Sequence, residues 1–324
     1  MSDGTRTRGR RDHNPELYQL SYAHQAPGKS SIGEGAARER EYHPRMELLQ
    51  PANWDEALEA KAGHPDALPL WGGTDVMVDI NFGRARPETI VDLTRVGELT
   101  RWDTDDGSIR VGAGVTYTRA IDELHDALPG LAIASRTVGS PQIRNRGTIG
   151  GNLGSSSPAG DALPPLYASH AEVEVASTRG SRRIPVEDFI TGPKQNVLEP
   201  DELIAAFHIS AARGGQQFAK IGTRNAMVIA VCSFAIAIDD EARTVGTCLG
   251  SAAPTPRRAT EAEQYVAGAL DWEHRAPIAD DVLQRFGELV ADAAAPIDDQ
   301  RGSAAYRRHA LAVMARRSLT WAWT

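Results

Sequence analysis

The sequence predicts an α+β fold in two globular units, divided near residue 214, behind a polar N-terminal stretch. Three observations lead there. Strand-like and helix-like segments both occur, but they do not alternate in the regular way that a parallel α/β sheet requires. The stretch "AARGGQQ" (Ala211–Gln217) reads as a linker between a strand-like "ELIAAFHI" and a new strand, "QQFAKIG". And 324 residues suit two domains at ~100–200 residues each.

The elements follow in order. Residues 1–45 lack any apolar stretch of signal-peptide type and bury too little apolar surface to offset ordering, so they read as a flexible or partner-docked tail. Asn53 and Glu56 have capping-box spacing at the head of "NWDEALEAKAG", with Trp54, Ala57 and Leu58 as its apolar stripe. Leu68–Trp71, "TIVDLTRV" (Thr89–Val96) and "SIRVGAGVTY" (Ser108–Tyr117) have strand character. Thr118 is positioned to cap a helix bearing Ile121, Leu124 and Leu128, stopped by Pro129-Gly130. "AEVEVAST" alternates at period two, as an edge or half-buried strand does. Beyond the linker, three or four strands precede helices, and the last helix starts near Ser303 and runs through "AAYRRHALAVMARRSL". Its "YRRH" segment reads as a solvated or intersubunit face. "AMVIAVCSFAIAI" (Ala226–Ile238) is far below the ~20 residues that span a bilayer and reads as a buried strand.

Composition excludes several function classes. The net charge is −8, and the first 45 residues carry a slight basic excess, so the remainder is more acidic still. A nucleic-acid footprint needs the opposite, a basic face. Cys232 and Cys248 stand alone, which argues against a disulfide framework, an iron–sulfur cluster or a four-cysteine zinc site in this chain and favours a reducing, cytoplasmic setting. The nine histidines include no H-E-x-x-H spacing, so a metal site is not expected.

Two glycine-rich turns carry the chemistry of the first unit: Trp71-Gly72-Gly73-Thr74-Asp75, and Thr148-Ile149-Gly150-Gly151-Asn152-Leu153-Gly154. In each an apolar residue leads into two glycines, and a hydroxyl or amide side chain follows. Consecutive N–H groups bare of side chains form a nest for an anion, most often phosphate, to which Thr74, Thr148 and Asn152 can add hydrogen bonds. The plainer reading is turn chemistry alone. A P-loop is excluded because neither turn ends in Gly-Lys-Ser/Thr. "GAGVTY" at Gly112–Tyr117 lacks the third glycine of a dinucleotide fingerprint.

Taken together, "PLWGGTDVM", "IRNRGTIGGNLGSSSPAGD" and "FAKIGTRNAMVIAV" resemble, in order and spacing, the FAD-binding medium subunit of the molybdenum hydroxylases, the xanthine dehydrogenase, carbon monoxide dehydrogenase and hydroxybenzoyl-CoA reductase group. The resemblance runs from about Met46 to the C-terminus. It implies a two-subdomain FAD-binding fold of the vanillyl-alcohol-oxidase type over residues 46–213, split near residue 100, and a smaller α/β domain over 214–324. It places Leu70, Trp71, Gly72, Gly73, Thr74, Asp75 and Val76 around the FAD pyrophosphate, and Thr148, Gly150, Gly151 and Asn152 on its other side, with Ile143 in the segment leading there. Asp161 matches an acidic contact to the cofactor, although it also suits the N-cap of "ALPPLYAS". Lys220 matches a basic residue that reaches toward the flavin, where a cation stabilises the anionic reduced ring; a solvated strand lysine is the plain alternative. Leu203 and Ile204 match residues lining the flavin, and core packing accounts for them equally well.

The resemblance further implies an oxidoreductase subunit with no catalytic residue of its own. Electrons would arrive from 2Fe–2S clusters of an iron–sulfur subunit, themselves fed by a molybdopterin subunit, and leave through FAD to NAD+ or another acceptor. Two lone cysteines leave no room for the extra cluster some reductases of the group carry in this chain. A self-contained, noncovalent FAD oxidoreductase of the same fold is the alternative, and a glycine-loop binding protein without redox activity is a third class.

Overall fold

The computed structural model describes residues 46–324; the expected tail over 1–45 lies outside them. Three short strands open the chain, β1 (Glu47–Leu49), β2 (Leu68–Leu70) and β3 (Thr89–Asp92). They pair in parallel in the order β1-β3-β2. Parallel neighbours need crossovers, and α1 (Trp54–Gly63) and α2 (Val76–Asn81) supply them. Asn53 caps α1 by accepting from the Glu56 N–H, but the Glu56 carboxylate reaches back to the Ala52 N–H, one residue beyond the cap.

A five-stranded sheet follows, built from β4 (Trp102–Asp105), β5 (Ser108–Gly112), β6 (Glu172–Ser177), β7 (Gly180–Pro185) and β10 (Leu203–Ser210). Its order is β4-β5-β10-β6-β7, with every pair antiparallel. The alternating "AEVEVAST" segment is therefore an interior strand rather than an edge. Between β5 and β6 the chain makes five short helices: α3 (Tyr117–Glu123), α4 (Pro129–Arg136), α5 (Pro141–Arg146), α6 (Ile149–Ser155) and α7 (Leu163–Ala168). The short α8 (Val186–Phe189) and the hairpin β8 (Ile190–Gly192) with β9 (Gln195–Asn196) bridge β7 to β10. Leu124, Leu128, Leu131, Ile149 and Leu153 from the helices bury against Val111, Val173 and Phe207 of the sheet.

Two boundaries differ from expectation. The cap of α3 is Thr116, whose hydroxyl accepts from the Arg119 N–H, while the Thr118 hydroxyl donates to the Asn145 side-chain Oδ1. Pro129-Gly130 does not stop a helix; it starts α4, because proline at the first helical position has no N–H to lose.

After the Gly214-Gly215 linker come β11 (Gln216–Ile221), β12 (Cys232–Asp239) and β13 (Thr244–Gly250), an antiparallel sheet in sequence order. The apolar run from Ala226 becomes strand only at Cys232, and its first residues form a loop in which Met227 and Ile229 are exposed. The helices α9 (Thr260–Ala269), α10 (Asp280–Ala293) and α11 (Ala304–Trp323) cover the sheet, burying Phe234, Ile236, Phe286, Leu311 and Leu319 in a second core. Ser303 caps α11 through the Tyr306 N–H. Among the described residues no helix is long and apolar enough to cross a membrane.

The segments on either side of Gly214-Gly215 touch closely, and residues 44–324 form one compact unit rather than two divided near residue 214. Gln216 Oε1 accepts from the buried Gly130 N–H at 3.1 Å. Gln216→Ala leaves that donor without a partner and should cost about 1–3 kcal/mol in urea unfolding; a change within ~0.5 kcal/mol, the scale of an ordinary surface substitution, would contradict it.

Candidate cofactor site

The chain leaves β2 through Trp71-Gly72 and turns at Gly73, whose φ is +71°. Only glycine adopts that conformation freely. Met77 N–H bonds back to the Gly73 carbonyl at 3.1 Å, which starts α2. Among the described residues, the consecutive N–H groups of Gly72, Gly73, Thr74 and Asp75 have no hydrogen-bond acceptor. This half-exposed loop therefore keeps the free donors that an anion nest requires.

The second glycine turn is built differently. Thr148 is the N-cap of α6, and its hydroxyl accepts from the Gly151 N–H at 2.8 Å. Ile149 donates to Val115, Gly150 to Ala113 and Asn152 to the Thr148 carbonyl. The N–H groups from Ile149 to Asn152 are thus consumed inside the protein, so this turn is not a second anion nest. What it offers instead is a bare surface. A Cβ at Gly150 would strike Ala113, but one at Gly151 meets only the Thr148 hydroxyl, at 3.0 Å, and one at Gly154 only Ile204, at 3.6 Å. Gly151 and Gly154 lie on the exposed face of α6.

Two contacts bring the turns together. Ser155, at the end of α6, donates to Asp75 at 2.7 Å. The Gly72 backbone also presses on the segment before α6: a Cβ there would stand 2.2 Å from the Arg146 carbonyl oxygen. Gly72 is therefore demanded by packing between the two turns, whatever binds beside it. Tyr117 packs under Gly147; burial pushes its phenol far above the usual tyrosine range, and the charges of Asp161 and then Asp75 add to this.

The "SPAGD" loop beyond α6 carries Asp161. Asn152 holds this loop, since its Oδ1 accepts from the Ala162 N–H at 3.2 Å and its side chain lies against Gly160. Asp161 caps nothing: Ala162 is the residue before α7. Its Oδ2 instead accepts from Lys220 Nζ at 2.5 Å and lies 3.2 Å from the Thr137 hydroxyl, whose one proton is shared with the Ala134 carbonyl at 2.7 Å. Both side chains of this pair are only 7% exposed. Burial pushes the Asp161 carboxyl up, and the Lys220 ammonium beside it pulls it back down. Lys220 also donates to the Thr137 carbonyl at 3.2 Å, so it is no solvated strand lysine. Asp161 Oδ1 is buried with no partner at all, which is unusual for a buried polar atom.

The remaining predicted residues sort by burial. Leu203 is 1% exposed and packs with Val91, Leu93, Val96 and Leu99; packing accounts for it fully. Ile204 is half-buried beside Gly154, and Leu70, Trp71, Thr74 and Val76 are half-buried around the first turn. The Trp71 ring lies against Gly114. Ile143 is exposed on α5, its side chain folded over Gly139. Sequence reasoning missed Thr137, the hub between Asp161 and Lys220, because a lone threonine near a helix end has no local signature. It also missed the cleft of about 470 Å³ beside Lys220, lined by Arg136, Arg144, Arg224 and the Met227 loop. A wider groove along α10 and α11 contains none of the predicted residues.

Comparison with known proteins identifies the family. Residues 44–211 match the family model described as the FAD binding domain in molybdopterin dehydrogenase, and residues 217–322 match the CO dehydrogenase flavoprotein C-terminal domain. The chain is 32% identical over 274 residues to the xanthine dehydrogenase FAD-binding subunit of Escherichia coli O157:H7, covering 82% of this chain and 91% of that one. It is 32% identical over 275 residues to the carbon monoxide dehydrogenase medium chain of Afipia carboxidovorans, covering 81% and 91%. In structure it superposes on a chain of carbon monoxide dehydrogenase from Hydrogenophaga pseudoflava with a TM-score of 0.79 at 27% identity, covering 86% of this chain and 98% of that one. With the two family models matched over residues 44–211 and 217–322, the chain belongs to the family of FAD-binding medium subunits of molybdenum hydroxylases, the xanthine dehydrogenase and carbon monoxide dehydrogenase type.

Proposed function

We propose that this chain is the electron-transfer subunit of a cytoplasmic, multi-subunit molybdenum-containing dehydrogenase or hydroxylase, in which FAD, when bound here, takes electrons from the 2Fe–2S clusters of a partner subunit and supplies them to NAD+ or another acceptor. A molybdopterin subunit completes the assembly, a heterotrimer or its dimer. The observation that carries the FAD reading is the unfilled row of N–H donors at Gly72–Asp75, and the buried, unpartnered Asp161 Oδ1 supports it. A ligand that offers an anion to one and a hydroxyl or ring N–H to the other satisfies both, and FAD carries all of these groups.

The residues divide the work. The N–H groups of Gly72, Gly73, Thr74 and Asp75 hold the pyrophosphate, with Leu70, Trp71 and Val76 walling the turn. Gly151 and Gly154 let the cofactor lie directly on α6. Thr148 and Asn152 act one step back, fixing α6 and the Asp161 loop. Lys220 holds positive charge beside the Asp161 carboxylate, where it favours added negative charge on the bound ring. Ile143 and Ile204 shield the cofactor from water. The arginines around the Lys220 cleft suit an acceptor that bears phosphate, which supports NAD+. The matched regions 44–211 and 217–322 support a cofactor domain and a C-terminal domain joined at the glycine linker.

The reading is tested by reconstitution. The isolated, FAD-loaded chain should not oxidise xanthine, an aldehyde or carbon monoxide. A molybdenum- and iron-containing activity toward the complex's substrate should arise only when the iron–sulfur and molybdopterin subunits are co-expressed. Substrate hydroxylation by the metal-free chain alone would overturn it and favour a self-contained enzyme.

A further inference from the structure

In the "YRRH" segment of α11, Tyr306, Arg308 and His309 are exposed as expected, but Arg307 is not. Arg307 is 2% exposed, and its guanidinium is clamped. Nη2 donates to Asp299 at 2.5 Å, and Nη1 donates to the backbone carbonyl of Ser251 at 2.8 Å. Asp299 is a ready-made anchor: Arg301 beside it, and then Arg307, hold its carboxyl well below the usual range. Ser251 follows β13 with φ +53°, a left-handed conformation that a residue with a Cβ adopts only when its surroundings impose it. In that conformation its N–H donates to the Pro158 carbonyl at 2.8 Å. Pro158 sits three residues before Asp161, in the loop whose other side Asn152 holds.

From this chain of contacts we propose that Arg307 and Ser251 form a strut that positions the Asp161 loop for cofactor binding, making Arg307 a positioning residue for a site it does not touch. The strut fixes Ser251 from one side so that its other side can present a donor to the loop. It sets the height at which Asp161 meets both Lys220 and its unfilled acceptor position. The inference rests on the FAD reading of the site above.

A thermodynamic cycle tests it. Apoprotein is titrated with FAD by flavin fluorescence in wild type, Arg307→Met, Asp161→Asn and the double variant, with urea unfolding of each apoprotein measured in parallel. If Arg307 acts through Asp161, Arg307→Met weakens FAD binding about tenfold or more in the wild-type background and has little further effect in the Asp161→Asn background, since coupled sites fail to add. Arg307→Lys, which keeps a donor for the Ser251 carbonyl, should recover part of the affinity. Should Arg307→Met not fold, Asp299→Asn loosens the same anchor and is read in the same cycle. Loss of stability with unchanged FAD affinity, or equal effects in both backgrounds, would overturn the strut. Failure of wild type itself to bind FAD would instead overturn the reading on which it rests.

Discussion

Lys220→Met should destabilise the protein by about 3–5 kcal/mol, the usual cost of leaving one member of a buried ion pair without its partner, and should abolish FAD retention. The Asp161 carboxylate would remain 7% exposed with only the Thr137 hydroxyl at Oδ2. The informative comparison is the double variant Asp161→Leu/Lys220→Met. Replacing a buried pair with apolar groups is often neutral for stability, so the double variant should regain most of the loss in urea unfolding. It should still emerge from a desalting column without flavin, because both the unfilled acceptor and the cation are gone. A double variant that retains flavin would show that the pair only fastens β11 to the Asp161 loop.

The glycines give the second large effect, and they part company. Gly72→Ala puts a Cβ against the Arg146 carbonyl oxygen, a contact that only backbone movement relieves, and should cost about 1–3 kcal/mol as overpacking does. Loss of flavin in that variant says little about the ligand. Gly151→Ala is the sharper probe. Its Cβ enters open space apart from the Thr148 hydroxyl, and alanine gains up to about 1 kcal/mol over glycine in a helix. The protein should be as stable as wild type or slightly more so. FAD affinity should still fall at least tenfold, roughly 1.4 kcal/mol, because the new methyl occupies the face on which the cofactor lies. Wild-type affinity in Gly151→Ala would make α6 an ordinary turn of helix.

These contrasts show what the sequence could and could not disclose. The strands of the C-terminal sheet and the Ser303 cap were legible because their signals are local: apolar runs and a hydroxyl ahead of a helical stripe. The glycine pairs were equally visible, yet their reasons were not. Gly72 is dictated by Arg146 and Gly150 by Ala113, neighbours that only the fold supplies. The second turn looked like a nest because its N–H groups are consecutive. That Val115 and Ala113 accept two of them is a tertiary fact. Helices α4 to α6 were missed because six to eight residues show scarcely two turns of any period. Arg307 reads as surface in a run of charged residues, and only the approach of Ser251 and Asp299 makes it a core residue.

The most direct test of the account is a single titration. Apoprotein is mixed with FAD and desalted, its visible spectrum is recorded, and it is then denatured and centrifuged. The paired turns predict a flavin spectrum with one FAD per chain, all of it released into the supernatant on denaturation, since no residue of the site is placed to bond it covalently. A colourless protein, or flavin that stays with the precipitate, would contradict the account.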